Sequence, residues 1–240
     1  MRLFTRWYRF FEDVLFPPLC LNCRTHLTEE ERPRWLCRDC ILPFDFPIGF
    51  FCPVCTRRSP VVPSCHSEVR FSAIAPWSYD NKKVRELIHL LKYDGVKVAV
   101  IPLGEELRRY VLESTEHGGI SLSNFSIIPL PLHPRKLRKR GFNQSLLLAR
   151  ALRLPEIPLL ENALMRIRAT PSQTTMKDRE ERTVNLYGSF ALSNPEAVHG
   201  RNILLVDDVF TSGATMREAA RVLKKGGAKR IIGLVAARAS

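Results

Sequence analysis

Two adjacent carboxylates, Asp207 and Asp208, follow an apolar run and precede a hydroxyl- and glycine-rich turn, Thr211-Ser212-Gly213-Ala214-Thr215. The run Asn202-Ile203-Leu204-Leu205-Val206 suits a strand buried on both faces, and the residues after the turn read as a helix running toward Lys224 and Lys225. Backbone N–H groups of the turn, with a helix N-terminus behind them, make a cradle for phosphate, and three hydroxyls add donors. Carboxylates at its front edge repel phosphate but accept hydrogen bonds from sugar hydroxyls. The chemistry read from these residues is recognition of a ribose 5-phosphate group. A strand end whose acids only cap the next helix is the plainer alternative, but it leaves unexplained why acids, hydroxyl turn and helix occur in this order.

A second set of chemically able residues lies at the other end of the chain. All seven cysteines fall between Cys20 and Cys65, as Cys20-x-x-Cys23, Cys37-x-x-Cys40, Cys52-x-x-Cys55 and Cys65. Two thiolates from one tight turn occupy two corners of a zinc tetrahedron, and a second turn supplies the others. Cys20, Cys23, Cys37 and Cys40 make a complete set, so one zinc is expected there. Cys52, Cys55 and Cys65 lack a fourth ligand, because Glu68 stands where a fourth knuckle would place its second cysteine. Glu68 could ligate through oxygen, His66 could swing round, or the second site is lost. Disulfides do not fit a chain without a secretion signal, and a redox role does not fit pairs away from a strand-to-helix junction.

The elements that position these groups can be read in outline. The 240 residues, 45% apolar, suffice for one sizeable α/β core and a small satellite. Residues 1–68 are expected to form an N-terminal helix and cysteine domain and residues 69–240 the larger domain. The aromatic-rich start, Met1 to about Leu15, has helix-like spacing ended by Pro17-Pro18 and is expected to pack on the cysteine module. Residues 71–77 read as a strand. Asp80 or Asn81 then caps a helix with Val84, Leu87, Ile88 and Leu91 on one face, ended by Lys92-Tyr93-Asp94-Gly95. Residues 126–131 read as the next strand, followed by a loop over 132–136. The last apolar strand, 231–236, nearly ends the chain, so no C-terminal hood is expected and the cysteine module is expected to cover the pocket.

Charge narrows the partners. The formal net charge is +13, which points to a polyanion. No Asp or Glu occurs from His117 through Pro155, and Arg135, Lys136, Arg138, Lys139 and Arg140 fall inside that window, as a pyrophosphate or nucleic-acid surface would require. Residues 166–185 are hydrophilic and cationic, the composition of a lid closing over an anion. No secretion signal or membrane-spanning run is evident, so a cytoplasmic protein is expected.

The strand, acid pair and Thr-x-Gly-x-Thr turn resemble the phosphoribosyl pyrophosphate (PRPP) motif of type I phosphoribosyltransferases, with Ser212 replacing the usual second Thr. More of the chain, including Pro-Pro-x-Cys-x-x-Cys at 17–23, Leu87-Ile88 before Lys92-Tyr93, Ile-Pro-Leu-Pro-Leu-His at 128–133 and Arg-Gly-Phe-Asn-Gln at 140–144, resembles the ComF family. These are amidophosphoribosyltransferase-like proteins associated with bacterial competence and DNA uptake. The resemblance implies an α/β fold, a parallel sheet of type I phosphoribosyltransferase kind flanked by helices, behind a small double zinc ribbon. It implies PRPP with its 5-phosphate on Thr211, Ser212, Gly213, Ala214 and Thr215, and its ribose on Asp207 and Asp208, which are also the catalytic candidates. Its pyrophosphate would lie toward Arg135 and Lys92, with magnesium held mainly by the ligand. Arg168, Thr170, Gln173, Arg179 and Arg182 match the family's mobile loop. Single-stranded DNA would meet Arg138, Lys139 and Arg140, and a competence helicase or other DNA-uptake proteins would be partners. Three functions remain in play: a phosphoribosyltransferase with an unidentified acceptor, a competence protein binding single-stranded DNA, and a PRPP-sensing regulator without turnover.

Overall fold

The computed structural model describes residues 13, 15, 17–66, 69, 71–168 and 186–239. Two short strands lie in the cysteine-bearing segment, β1 (Phe50–Phe51) and β2 (Arg58–Ser59), followed by β3 (Ser72–Ile74) and β4 (Trp77–Ser78). Helices α1 (Lys82–Lys92) and α2 (Val100–His117) lead to β5 (Phe125–Pro129), α3 (Pro134–Arg140) and α4 (Gln144–Ala151). An antiparallel ladder of β6 (Leu164–Arg166) and β7 (Phe190–Leu192) precedes β8 (Asn202–Phe210), α5 (Ala214–Lys225) and β9 (Arg230–Arg238). The main sheet runs β2-β1-β3-β9-β8-β5, with β4 continuing alongside β9. It is parallel from β3 to β5 and antiparallel where β1 joins β2 and β3. This is the expected α/β architecture, with one addition: the sheet continues into the cysteine-bearing segment through Phe51 opposite Ala73.

Helices cover both faces of the sheet, which is why β8 and β9 are unbroken apolar runs rather than alternating ones. Successive side chains still point to opposite sides. Leu204, Val206, Ile232 and Leu234 pack with Val84, Leu87, Leu103, Leu107 and Leu148 from α1, α2 and α4. Ile203, Leu205, Ile231 and Val235 pack with Met216, Ala219 and Leu223 from α5. Leu21, Leu27, Leu36 and Leu42 of the cysteine-bearing segment belong to the α1/α2 side.

Asn81 is the cap of α1, its side chain accepting from the N–H groups of Lys83 and Val84. The stretch expected to be a loop over 132–136 becomes helical at Pro134. His133 Nδ1 accepts from Arg135 N–H at 3.2 Å, and proline occupies the first turn, where its missing N–H costs nothing. The helix stops at Gly141, whose φ of 80° is left-handed. No helix among the described residues is long and apolar enough to cross a membrane. The helix expected at the start of the chain falls almost wholly outside the described residues.

Candidate functional site

The site arises because two paired strands differ in length. β5 stays beside β8 only to Pro129 opposite Val206, whereas β8 continues along β9 to Phe210. From Asp207 onward one edge of β8 is uncovered, at the carboxyl ends of parallel strands where α/β sheets bind ligands. A cavity of about 380 Å³ opens there. Asp207, Asp208, Thr211, Gly213 and Thr215 line it together with Lys92, Lys136, Arg140, Arg166, Tyr79 and Tyr93. No cysteine and no other residue of 17–66 lines it, so the cover expected from that segment is not there among the described residues.

The two carboxylates are held differently. Asp207 Oδ1 accepts from Ser145 Oγ at 2.8 Å and from Asp208 N–H at 2.9 Å. Asp208 is buried, and its Oδ1 lies 2.6 Å from Lys92 Nζ. Its other oxygen, Oδ2, is buried without a hydrogen-bond partner. A buried acceptor left unmade costs roughly 1–3 kcal/mol, a penalty that a ligand hydroxyl would remove. Burial, with the Asp208 charge second, pushes the Asp207 carboxyl up to about 7 against the opposing pull of Lys92. Burial would lower the Lys92 ammonium, but the Asp208 charge and hydrogen bond override it and hold Lys92 above its ordinary value.

The Asp207 shift has a sign that can be measured. Between its ordinary value of 3.8 and about 7, the folded protein holds a proton that the unfolded chain has lost. This group therefore makes stability fall as pH rises through that window, and contributes no further change above it. Asp207→Asn removes the titration. The melting temperature of the variant minus that of the parent should grow more positive from pH 4 to about pH 7 and then level off. A gap independent of pH would contradict the assignment.

The turn is built around Gly213, which has φ of 70° and caps α5. A Cβ there would lie 2.3 Å from the Phe210 ring, so glycine is required on both counts. Ser212 and Ala214 are buried and do not line the cavity; Ser212 Oγ accepts from Ala214 N–H at 3.4 Å and braces the turn. Two hydroxyls, those of Thr211 and Thr215, belong to residues lining the cavity.

The cations sort by helical phase. Arg135, Arg138 and Lys139 are exposed on α3 and do not line the cavity, whereas Lys136 and Arg140 do. Arg135, expected from sequence to face a pyrophosphate, therefore lies outside the cavity, and its neighbour Lys136 lines it. Burial, then the charges of Arg166, Arg140 and Lys92, lower the Lys136 ammonium. Such a cluster is poised for an anion. Residues 140–144 form the corner that holds it: Arg140 donates to Gln144 Oε1 at 2.5 Å, Gly141 ends α3, and Asn143 caps α4 while its Nδ2 donates to Leu130 O at 3.1 Å. Ser145 carries no sequence signal of its role, and Arg166, which opens the cationic stretch 166–185 expected to form a lid, lies on β6. Arg168 is exposed just beyond β6. Thr170, Gln173, Arg179 and Arg182 lie outside the described residues.

The cysteines form two clusters, Cys20, Cys23, Cys37 and Cys40, and Cys52, Cys55, Cys65 and His66; within each, the ligand atoms lie within 4.8 Å of one another. Both could hold a metal ion. His66 supplies the fourth corner that the sequence left open; Glu68 is outside the described residues. The knuckles share a backbone: Arg24 and Thr56, each following the second cysteine, have φ of 62° and 59°, and their N–H groups donate to Cys20 O and Cys52 O. Hydrogen bonding from Thr25 lowers the Cys23 thiol to about 6, and the Arg57 backbone lowers Cys55 to about 7, so each cluster offers a thiolate near neutral pH.

Comparison with known proteins agrees with this geometry. Residues 146–239 match the phosphoribosyl transferase domain. The chain is 31% identical to the DNA utilization protein YhgH of Escherichia coli O157:H7 over 220 residues, covering 82% of this chain and 92% of that protein. It is 28% identical to the competence protein ComFC of Streptococcus pneumoniae over 206 residues, covering 82% and 84%. Over 109 residues it is 38% identical to competence protein F of Haemophilus influenzae, covering 44% and 47%. With an acid pair and glycine turn inside the matched phosphoribosyl transferase domain, and with such relatives over most of its length, the chain belongs to the ComF family of competence and DNA-utilization proteins.

Proposed function

We propose that this protein takes part in DNA uptake in the cytoplasm, binding PRPP in the β8 cavity and single-stranded DNA along the outer face of α3. The observation that carries the ligand is the buried, unpartnered Asp208 Oδ2 between a phosphate-type turn and four cations. The 5-phosphate would occupy the turn, the ribose hydroxyls would donate to Asp207 and to Asp208 Oδ2, and the pyrophosphate would meet Lys136, Arg140 and Arg166. With Asp208 Oδ1 already committed to Lys92, few protein oxygens remain for a cation, so the ligand's own oxygens would hold magnesium. Magnesium would neutralise charge on the pyrophosphate. Should turnover occur, Asp207 and Asp208 would stabilise positive charge growing on the ribose as the C1–oxygen bond breaks. Tyr79 and Tyr93 at the mouth offer faces for a planar acceptor.

Both cysteine clusters fit zinc. A tetrahedron with Zn–S near 2.3 Å has S···S edges of about 3.8 Å. The separations of 3.5 Å for Cys23–Cys37, 3.6 Å for Cys55–Cys65 and 3.4 Å for Cys52 to His66 Nδ1 are close to that size.

The DNA reading rests on exposed Arg135, Arg138 and Lys139 in an acid-free window, together with the competence relatives. Binding of oligo(dT) should weaken with salt, with a slope of about 0.7 per neutralised phosphate. Replacing Arg135, Arg138 and Lys139 by Ala should reduce that slope by about 2 while PRPP still binds, because these residues lie outside the cavity. An unchanged slope would remove α3 as the DNA face, and absence of saturable PRPP binding by calorimetry would remove the ligand.

A further inference from the structure

Residues beside the second cysteine cluster touch the elements around the phosphate turn, whereas the first cluster, among the described residues, packs elsewhere. Phe51, next to Cys52, is fully buried, and its ring meets Phe210 edge-on at 5.1 Å and 83°. The Phe210 ring in turn lies against Gly213, leaving no room for a Cβ. Two hydrogen bonds reinforce the connection. Pro53 O accepts from Arg217 in the first turns of α5 at 3.3 Å, and Thr56 O accepts from Arg238 at the end of β9 at 3.1 Å. The Cys52–Cys55 knuckle is thus bonded to the helix that follows the turn and to β9, and its neighbour Phe51 meets the last residue of β8, the strand that precedes the turn. Cys20, Cys37 and Cys40 instead pack on the α1/α2 side of the sheet.

We propose that a metal ion at Cys52, Cys55, Cys65 and His66 positions the phosphate turn through Phe51 and Phe210, so that metal and phosphoribosyl ligand each strengthen the binding of the other. The proposal rests on the ligand reading above. Without a metal, the knuckle keeps its own turn, Thr56 N–H to Cys52 O, but Cys65 and His66 are tied to it only by the contacts Cys55 Sγ to Cys65 Sγ and Cys52 Sγ to His66 Nδ1, so the metal is what fixes the knuckle firmly. The Phe51 ring then no longer fixes Phe210, and the N–H groups of the turn lose their common aim. Energetic coupling between two sites is reciprocal, which separates positioning from general support of the fold.

The test uses the full chain and PRPP with magnesium. Protein loaded at both clusters should bind PRPP at least about 5-fold more tightly than Cys55→Ser/Cys65→Ser protein loaded only at the first, the lower end of usual coupling. Saturating PRPP should protect the second metal from a chelator by the same factor. In Phe51→Leu protein both ligands should still bind, but the factor should shrink toward one. With cobalt(II) in both clusters, PRPP should shift the visible absorption of the three-sulfur, one-nitrogen site and leave the four-sulfur site unchanged. This last measurement decides the matter if the double serine variant does not fold. Equal PRPP affinity with and without the second metal, or an unmoved cobalt spectrum under saturating PRPP, overturns the coupling alone. No PRPP binding by fully loaded protein removes the ligand reading and the coupling together.

Discussion

Asp207→Asn combined with Asp208→Asn should weaken PRPP binding roughly 30- to 100-fold while bare phosphate binds about as before. A hydrogen bond to a charged acceptor is worth roughly 1 kcal/mol or more beyond one to a neutral acceptor. Above pH 7, where Asp207 is ionised, two such losses amount to about 2–3 kcal/mol, at a tenfold change per 1.4 kcal/mol. The turn that would hold the phosphate takes its shape from Gly213 against the Phe210 ring, and neither substitution alters these residues. Asp208→Asn also strands Lys92, whose side chain is only 17% exposed, and breaking one side of a buried pair costs about 3–5 kcal/mol. Circular dichroism must therefore accompany the titration, and Asp207→Asn alone gives the cleaner single step. Parental PRPP affinity in the folded double variant would dismiss the ribose assignment.

Removing the first metal site should have the largest effect on the fold. Cys37 and Cys40 are buried, and their segment contributes Leu21, Leu27, Leu36 and Leu42 to the core shared with α1 and α2. Cys37→Ser/Cys40→Ser leaves buried polar groups and releases that apolar layer. A structural zinc site contributes on the order of 10 kcal/mol to folding where little else does. The melting temperature should fall by at least about 10 °C, given roughly 2–4 °C per kcal/mol at this size. Native mass spectrometry of freshly reduced parent protein should show bound zinc; metal-free protein with an unchanged melt would contradict the role.

What the sequence disclosed follows from how far apart the cooperating residues lie. Strand, acids, turn and helix are contiguous from 202 to 225, so their order alone carries the site. The cation wall is not contiguous. Lys136, Arg140 and Arg166 come from α3 and β6, and neighbouring positions on a helix differ by about 100° in direction. Reading 132–136 as a loop left no phase to choose Lys136 over Arg135, and the signal that fixes the phase is a histidine cap, an uncommon residue for that task. Ser145 carried no mark at all, since a serine early in a helix is ordinary until a carboxylate from β8 is found 2.8 Å away. For the second cluster, knuckle spacing points to Glu68 and leaves His66 as an alternative, and the fold brings His66 to the cysteines.

The antiparallel join between β1 and β3 has a consequence for solubility. A parallel sheet that ended at β3 would present a row of unpaired N–H and C=O groups, the template for pairing with another chain. Here β1 covers that edge, and the outermost strand is only two residues long and carries Arg58. At the opposite edge, Ile127 is bonded by Pro158 O and Leu160 N–H, so irregular chain shuts that side too. The cysteine-bearing segment thus keeps the sheet from growing, and losing its grip would open an edge on which another chain could pair and seed aggregation.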